Sequence, residues 1–302
     1  MEKCSKCGRE AIIYLSYGGL HLCKNHFCAM FEKRFFQTVG ETSKITKGER
    51  IAVGVSGGKD SSVMLYLLHK LQKKLPFELV AITIDEGIKG YRASSLKIAE
   101  KLCKKLKIEH RVVSFKEVTG KTLDEIMKEK KTIPCSYCGV SRRYLLNKAA
   151  REMRADKLAI GHNLDDAAQT TLMNIMRNEP TRLARYLHPI EEDKKFIPRI
   201  KPLIRTPEKE VAIYGLLKGL EIHGQECPYA VHAFRQEIRH KLNEIEEKYP
   251  GTKFKILNSF MTLQNKLRQN VQKGDIKGCE TCGEPTSHKM CKFCEMIGKK
   301  RD

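Results

Sequence analysis

Val55-Ser56-Gly57-Gly58-Lys59-Asp60-Ser61-Ser62 joins a short apolar run to an amphipathic stretch, and its reading decides the fold. Residues Ile51 to Val55 read as a buried strand. From Asp60 onward, Val63, Met64, Leu67, Leu68, Leu71 and Leu75 recur at spacings of three and four, one face of a helix. A strand that turns through two glycines into a helix aims bare backbone N–H groups at one point. The helix dipole adds partial positive charge there and Lys59 adds a full one. Such a turn holds phosphate. The pattern is not G-x-x-x-x-G-K-[ST], because only Val55 and Ser56 separate Gly54 from Gly57-Gly58. A glycine-rich turn without a ligand is the alternative, and the Lys, Asp and two Ser that follow directly argue against it.

A chain of 302 residues can bury a full α/β core and still carry small modules. No window approaches the roughly 18 apolar residues of a membrane span. The first ten residues hold Cys, Lys and Glu with no apolar segment, unlike a signal peptide. A cytoplasmic protein without membrane partners is therefore expected. The net charge of +21 suits a nucleic-acid binder, the alternative being a lysine-rich solvated surface. One stretch stands out: Arg177 to Arg205 carries eight Lys or Arg against four acids.

Twelve cysteines in such a chain point to metal or redox chemistry rather than to a disulfide framework. Cys4-x-x-Cys7 is followed after fifteen residues by Cys23-x-x-His26, and Cys279-x-x-Cys282 after eight by Cys291-x-x-Cys294. Two paired knuckles are what tetrahedral zinc requires. Gly8 and Gly283 follow the leading pairs, where a knuckle turn favours positive φ. Cys28 competes with His26 as fourth ligand of the first set; His26 is preferred because Cys23-x-x-His26 mirrors Cys4-x-x-Cys7. The third set is Cys135-x-x-Cys138 with a distant Cys227, one ligand short of a closed site. A dithiol with a resolving thiol and an iron–sulfur cluster with one open iron both remain open at this point. Cys103 shares a helix face with Ala99, Leu102 and Leu106 and reads as core, and Cys28 as a buried thiol.

Further strands are expected over Glu78–Ile84, Glu109–Phe115 and Lys157–Ile160, with helices near Tyr91–Lys107, Ser141–Met153 and Ala167–Met176. This alternation predicts a doubly wound, Rossmann-like parallel sheet whose ligand lies beyond the strand carboxyl ends, where Gly54–Ser62, Asp85 and Gly161–Asp166 emerge. After Pro180 the pattern turns to proline-punctuated loops, then helices near Glu208–Lys218, Ala230–Lys248 and Ser259–Val271. The expected units are an N-terminal zinc module (1–40), a catalytic domain (41–225), a helical region (226–272) and a C-terminal zinc module (273–302).

The loop resembles that of the N-type ATP pyrophosphatases, the PP-loop superfamily. Nearly the whole chain resembles the tRNA 2-thiouridine synthetases of the archaeal and eukaryotic wobble-uridine type. The likeness rests on Ser56–Ser61, Ile84-Asp85-Glu86-Gly87-Ile88, Gly90-Tyr91-Arg92, Cys135-x-x-Cys138-Gly139 and Gly161-His162-Asn163-Leu164-Asp165-Asp166. Lys201-Pro202-Leu203, Pro207-Glu208-Lys209-Glu210, Cys227-Pro228-Tyr229 and both terminal modules extend it. The resemblance implies a [4Fe–4S] cluster on Cys135, Cys138 and Cys227. It implies ATP contacts at Gly54, Val55, Ser56, Gly57, Gly58, Lys59, Asp60, Ser61, Ile84, Arg142, Gly161 and Asp166. Position 142 is Lys in some relatives and Arg here, which keeps its proton and so suits charge compensation rather than proton transfer.

The implied reaction adenylates uracil O2, releases pyrophosphate and admits sulfur at C2, with Lys59, Arg142 and Mg²⁺ offsetting phosphate charge. Asp166 would take or position the N3 proton; capping of its own helix by Asp165 or Asp166 is the competing role. His162 reads as a hydrogen-bonding partner. Two Zn²⁺, tRNA and a sulfur donor (sulfide or a thiocarboxylated ubiquitin-like carrier) complete the expected partners, and the resemblance allows a homodimer. With metal thiolates counted, the charge falls to about +17, still ample for a phosphate backbone. Because the zinc sets and the triad are separate in sequence, they are expected to behave independently. Wobble uridine 34 is preferred over uridine 54. The rival readings are persulfide thiolation without a cluster, an amidating PP-loop enzyme, and a zinc-bearing RNA scaffold with an inert nucleotide fold.

Overall fold

The structure is a computed structural model that describes residues 2–129, 133–186, 196–230, 234–269 and 276–298. In chain order the elements are β1 (Ile13–Leu15), β2 (Leu20–Leu22), α1 (Lys24–Thr38), β3 (Arg50–Gly54), α2 (Lys59–Gln72), β4 (Glu78–Asp85), α3 (Arg92–Leu106) and β5 (Glu109–Ser114). There follow α4 (Phe115–Thr119), α5 (Leu123–Glu129), α6 (Pro134–Glu152), β6 (Lys157–Ala159), α7 (Leu164–Met176), α8 (Pro180–Ala184) and β7 (Arg199–Ile200). Last come α9 (Glu208–Leu217), α10 (Phe234–Lys248), α11 (Thr252–Gln269), β8 (Lys277–Gly278), β9 (Pro285–Thr286) and α12 (Lys292–Ile297).

Five parallel strands form the sheet in the order β5-β4-β3-β6-β7. The chain builds outward from β3 to β5, then crosses back to β6 on the other side of β3. The reversal between β3 and β6 opens a crevice at their carboxyl ends, the place where doubly wound sheets bind ligands. Alternation along the strands sorts their side chains into two layers. Ile51, Val53, Leu79 and Ala81 join one core with α1, α2, α3 and α9. Ala52, Val80, Ile82 and Leu158 join a second with α5 and α6. Both faces are covered, which is why these strands read as continuous apolar runs.

The four anticipated strands stand within a residue of their expected ends. β7 was read as loop: it is two residues long, lies between Pro198 and Pro202, and has no pattern of its own. Helix α6 starts at Pro134 rather than Ser141, with proline in its first turn, where the missing N–H costs nothing. Cys135 and Cys138 therefore sit on the opening turns of a helix. Helix α11 starts at Thr252 rather than Ser259. Parts of the expected Ala230–Lys248 and Ser259–Val271 helices (231–233, 270–271) lie outside the described residues, as do Lys194, Lys195 and Glu191, Glu192, Asp193 of the basic stretch.

The N-terminal segment holds a helix that the pattern search passed over. Phe27, Phe31 and Phe35 fall four apart on α1 and are fully buried. The Phe31 ring stacks on Tyr214 of α9 with centroids 4.3 Å apart. Burial of each such ring contributes about 2 kcal/mol, so α1 belongs to the main core. At the other end of the chain, the Glu284 carboxylate accepts from Asn147 Nδ2 at 3.1 Å and pairs with Arg151, which seats the C-terminal segment on α6. The two terminal segments thus rest on opposite layers. Among the described residues no helix is long and apolar enough to cross a membrane.

Candidate functional site

The glycine turn is already shaped for an anion. Ser56 N–H donates to Ser61 Oγ at 3.1 Å, and Ser61 Oγ–H donates to the Gly58 carbonyl at 3.1 Å. These bonds tie the loop to the first turn of α2, whose opening N–H groups have no intrahelical acceptor. Gly57 has φ +83°, and a Cβ there would stand 2.2 Å from the Ser95 carbonyl oxygen on α3. Only glycine fits.

The crevice beside this loop has a volume of about 390 Å³. Gly54, Val55, Ser56, Asp60, Ser61, Ile84, Arg142 and Gly161 all line it, so most of the expected nucleotide contacts converge. Gly57, Gly58 and Lys59 form the loop around it. A shallower surface hollow of about 530 Å³ near Lys47, His69 and Phe77 lies at the opposite, amino ends of β3 and β4 and brings no such groups together.

Lys59 Nζ is held between Asp60 (3.1 Å) and Glu208 (2.7 Å). Burial opposes its charge, but these two carboxylates raise its pKa. Glu208 in turn accepts from Arg239 Nη2 at 3.1 Å. Two further charged residues were missed by the sequence reading. Arg92, 4 % exposed, donates to the Ser56 and Ile84 carbonyls, and its Nε pairs with Glu86 at 2.8 Å. Glu86, also buried, meets Arg142 Nε at 3.2 Å. A signal was present: Arg92 occupies the same face of α3 as buried Ser95, Ala99 and Leu102, where a charge demands a partner. Asp85 is taken up locally, accepting from the Gly87 N–H at 2.9 Å.

Asn163, rather than either aspartate, is the N-cap of α7. Its side chain accepts from the Asp166 N–H at 3.0 Å, and Asp166 accepts from the Asn163 N–H at 3.2 Å, a reciprocal capping box. Asp165 is structural: it accepts from the Glu208 N–H at 2.7 Å and pairs with Lys253. Asp166 Oδ1 faces Arg235 Nη1 at 3.6 Å. Burial pushes the Asp166 carboxyl up to about 6; the Asn163 N–H and Arg235 pull it down and Asp60 adds to the rise. Asp166 thus completes the capping box from inside the helix and remains a proton acceptor near neutrality. His162 lines the crevice with its pKa down at about 3, through enclosure first and then Lys201, Arg235, Arg142 and Arg199, so its ring is neutral.

The terminal cysteine sets each close on one point. Cys4, Cys7, Cys23 and His26 bring their donor atoms within 4.8 Å of one another, as do Cys279, Cys282, Cys291 and Cys294. Sulfurs around one zinc at about 2.3 Å stand about 3.8 Å apart. The Cys7–Cys23 and Cys282–Cys291 separations are 3.8 and 3.7 Å, and His26 Nδ1 lies 3.4 Å from Cys4 Sγ. His26, and not Cys28, completes the first set; Cys28 is buried on α1. Gly8 and Gly283 have the expected positive φ, +69° and +72°. Cys103 is buried core.

Cys135, Cys138 and Cys227 do not converge in this way; among the described residues only the two terminal sets do. They are nonetheless near one another: Cys135 Sγ lies 3.5 Å from the Tyr229 carbonyl, Cys138 feels the charge of Cys227 and Cys135, and Cys227 that of Cys135. Tyr91, Tyr229, Met296 and Ile297 pack in the same cluster. Cys138 and Arg142 are one turn apart on α6, which places Cys138 next to the wall of the crevice. Soft donors spread more widely than a single ion needs, walled by apolar groups, fit a polynuclear iron–sulfur group.

Comparison with known proteins agrees with this geometry. A family model described as a PP-loop domain matches residues 29–246, and one described as the N-terminal LIM domain of the 2-thiouridine synthetase TtuA matches residues 3–28. The chain is 38% identical to the tRNA 2-thiolation protein NcsA of Haloferax volcanii, over 98% of each chain. It is 39% identical to the tRNA-5-methyluridine(54) 2-sulfurtransferase of Pyrococcus horikoshii, over 99% of this chain and 95% of that one. The solved U34-tRNA thiolase NcsA from Methanococcus maripaludis, with its [4Fe-4S] cluster, superposes with a TM-score of 0.86 at 35% identity, covering 100% and 99% of the two chains.

Proposed function

This chain belongs to the PP-loop family of tRNA 2-thiolation proteins, and on that footing we propose that it is an ATP-dependent tRNA sulfurtransferase acting on uracil C2. The single observation that carries the reading is a crevice with a phosphate-shaped loop on one wall and, on another, α6, the helix whose opening turns bear Cys135 and Cys138. An amidating enzyme would need the first and not the second.

ATP lies with its phosphates on Ser56–Ser61 and its adenine toward Gly54 and Ile84. Lys59 leaves its carboxylate partners for the phosphates, and Arg142 offsets charge from the opposite wall, with Mg²⁺ accompanying the nucleotide. Uracil O2 attacks the α-phosphorus and pyrophosphate departs. Asp166 holds the N3 proton, a role suited to a carboxyl titrating near 6. Cys135, Cys138 and Cys227 would hold a [4Fe–4S] cluster, which would supply Lewis-acid iron for the sulfur chemistry. Burial pushes the Cys138 thiol up to about 12, with Glu86 adding to it, which argues against its acting as a free nucleophilic thiolate. Sulfur displaces AMP from C2. The donor is sulfide or a thiocarboxylated carrier.

Two Zn²⁺ fill the terminal donor sets, which head an N-terminal module (1–40) and a C-terminal one (273–302) around the catalytic domain and helical region. The enzyme works in the cytoplasm. Wobble uridine 34 is its target, supported by full-length likeness to the U34 thiolase. Uridine 54 is the second reading, favoured by the similar identity to the Pyrococcus protein. Nucleoside mass spectrometry of tRNA from a deletion strain, digested into fragments holding position 34 or 54, tests both. Loss of 2-thiouridine from neither fragment refutes the function.

A further inference from the structure

Four arginines line the crevice, and they divide into two pairs. Arg92 and Arg142 share the buried carboxylate of Glu86. Arg143 on α6 and Arg199 at the start of β7 have no carboxylate within ion-pair distance among the described residues. Arg199 Nη2 instead donates to the Arg143 carbonyl at 3.3 Å, so two cationic side chains stand together on one wall. The charges that face Arg143 are those of Arg182 and Arg142, with the Cys138 sulfur the lone opposing group, and the charge facing Arg199 is Arg143. His162, beside them, is held neutral and adds no charge of its own. Enclosure, then this mutual repulsion, bring Arg199 down to about 10 and lower Arg143 as well.

Like charges gathered in a walled cleft are unfavourable by themselves and become favourable when an anion with hydrogen-bond acceptors enters between them. The loop across the crevice already offers its own N–H groups and Lys59 to the nucleotide phosphates, whereas Arg143 and Arg199 emerge from α6 and β7. A base that reaches the cysteine group must leave its stack and bring its own backbone with it.

We infer that Arg143 and Arg199 form a phosphodiester clamp that grips the RNA backbone beside the flipped target uridine. Forked guanidinium donors suit the two free oxygens of a phosphodiester. The clamp offsets part of the few kcal/mol that unstacking costs and fixes the base toward Cys135 and Cys138. This inference rests on the proposed reading that RNA is the substrate, and deepens it by naming the residues that hold the displaced strand.

The test is a cycle between protein and RNA. Wild type, Arg143→Gln and Arg199→Gln are titrated with a stem-loop RNA carrying the target uridine, and with copies bearing a neutral methylphosphonate at the linkage 5′ or 3′ to it. Wild type is expected to lose several-fold in affinity for one substituted RNA, whereas the variants, weakened toward normal RNA, lose nothing further. The slope of log K against log salt should fall by about 0.7–0.9 for each charge removed. Arg199→Lys, which keeps the charge, should recover part of the loss. ATP affinity, measured by displacement of a fluorescent analogue, should stay within twofold. Equal losses for wild type and variants across the substituted RNAs would overturn the clamp, and so would a fall in ATP affinity with RNA binding intact, since the pair would then hold a nucleotide phosphate. A wild type that binds no RNA refutes the proposed function itself, a result distinct from either.

Discussion

Tyr144 on α6 and Phe293 on α12 lie face to face, ring centroids 3.9 Å apart and planes 12° from parallel. Tyr144 is two residues from Arg142 and six from Cys138, so the C-terminal cysteine set is braced directly against the helix that carries Cys135 and Cys138. Separation along the sequence led to an expectation of independence, and this stacking supplies a physical route by which the two could be coupled. Phe293→Ala should cost about 3 kcal/mol of stability through the cavity and lost stacking. It should leave zinc content unchanged yet lower iron retained after anaerobic reconstitution. Metal analysis showing full iron would mean that the remaining contacts of α6 suffice.

Lys59→Ala removes the positive side-chain charge of the loop. Pyrophosphate release should fall by at least a hundredfold, about 2.7 kcal/mol, the scale of losing one preorganised transition-state partner. The affinity for tRNA should stay within a few-fold, because the loop faces the nucleotide. Normal tRNA-dependent pyrophosphate release by this variant would remove the loop from the mechanism.

The pH dependence follows from Asp166, whose folded-state pKa of about 6 lies above the ordinary carboxylate value. The basic form gains population as pH rises through 6, so single-turnover thiolation should climb there and level off above. Arg235→Ala removes a cation that favours ionisation and should move this limb to higher pH. Asp166→Asn preserves an acceptor for the capping box and should abolish the limb with most of the rate. A limb at an unchanged midpoint in the Arg235 variant would transfer the titration to another group.

Cys227 lies far along the chain from Cys135 and Cys138, yet the segment that carries it comes back to the start of α6, where Cys135 Sγ lies 3.5 Å from the Tyr229 carbonyl. Cys227→Ala leaves two protein ligands for a cluster of four irons. Iron and thiolation should both be lost, while pyrophosphate release partly survives, since the loop is built by β3 and α2. Absorbance in the iron–sulfur charge-transfer region and electron paramagnetic resonance read the first effect. Full-rate thiolation by iron-free wild type would instead support persulfide chemistry.

What could be read ahead of the structure was whatever depends on local spacing. The glycine turn, the paired knuckles and the alternation of β3, β4 and β6 with helices each carry their geometry within a few residues. Arg92, Glu86 and Glu208 stood in quoted motifs, and the buried face of α3 called for a partner to Arg92, but the partners themselves could not be read: each acts through another element, and no spacing encodes that Arg92 will meet the Ser56 carbonyl. The two-residue β7 was hidden because its strand character comes from pairing with β6, not from its own side chains. The start of α6 was misplaced because Cys-Ser-Tyr-Cys-Gly resembles a metal loop more than a first helical turn, and Pro134 marks an N-terminus only when the helix behind it is known.

The placing of the first and last segments on opposite layers of the sheet changes what trimming this protein would mean. A shortened version that began after residue 40 would discard Phe27, Phe31 and Phe35 and bare the α9 surface that Tyr214 now shares with them. One that stopped before residue 276 would strip the outer support of α6. Neither end is a tail to be clipped for convenience, and a fusion partner that strains either one would be felt in the catalytic crevice. Chelators should accordingly act on this enzyme as denaturants that work inward from both faces, and proteases that nick the ends should report on the integrity of the whole.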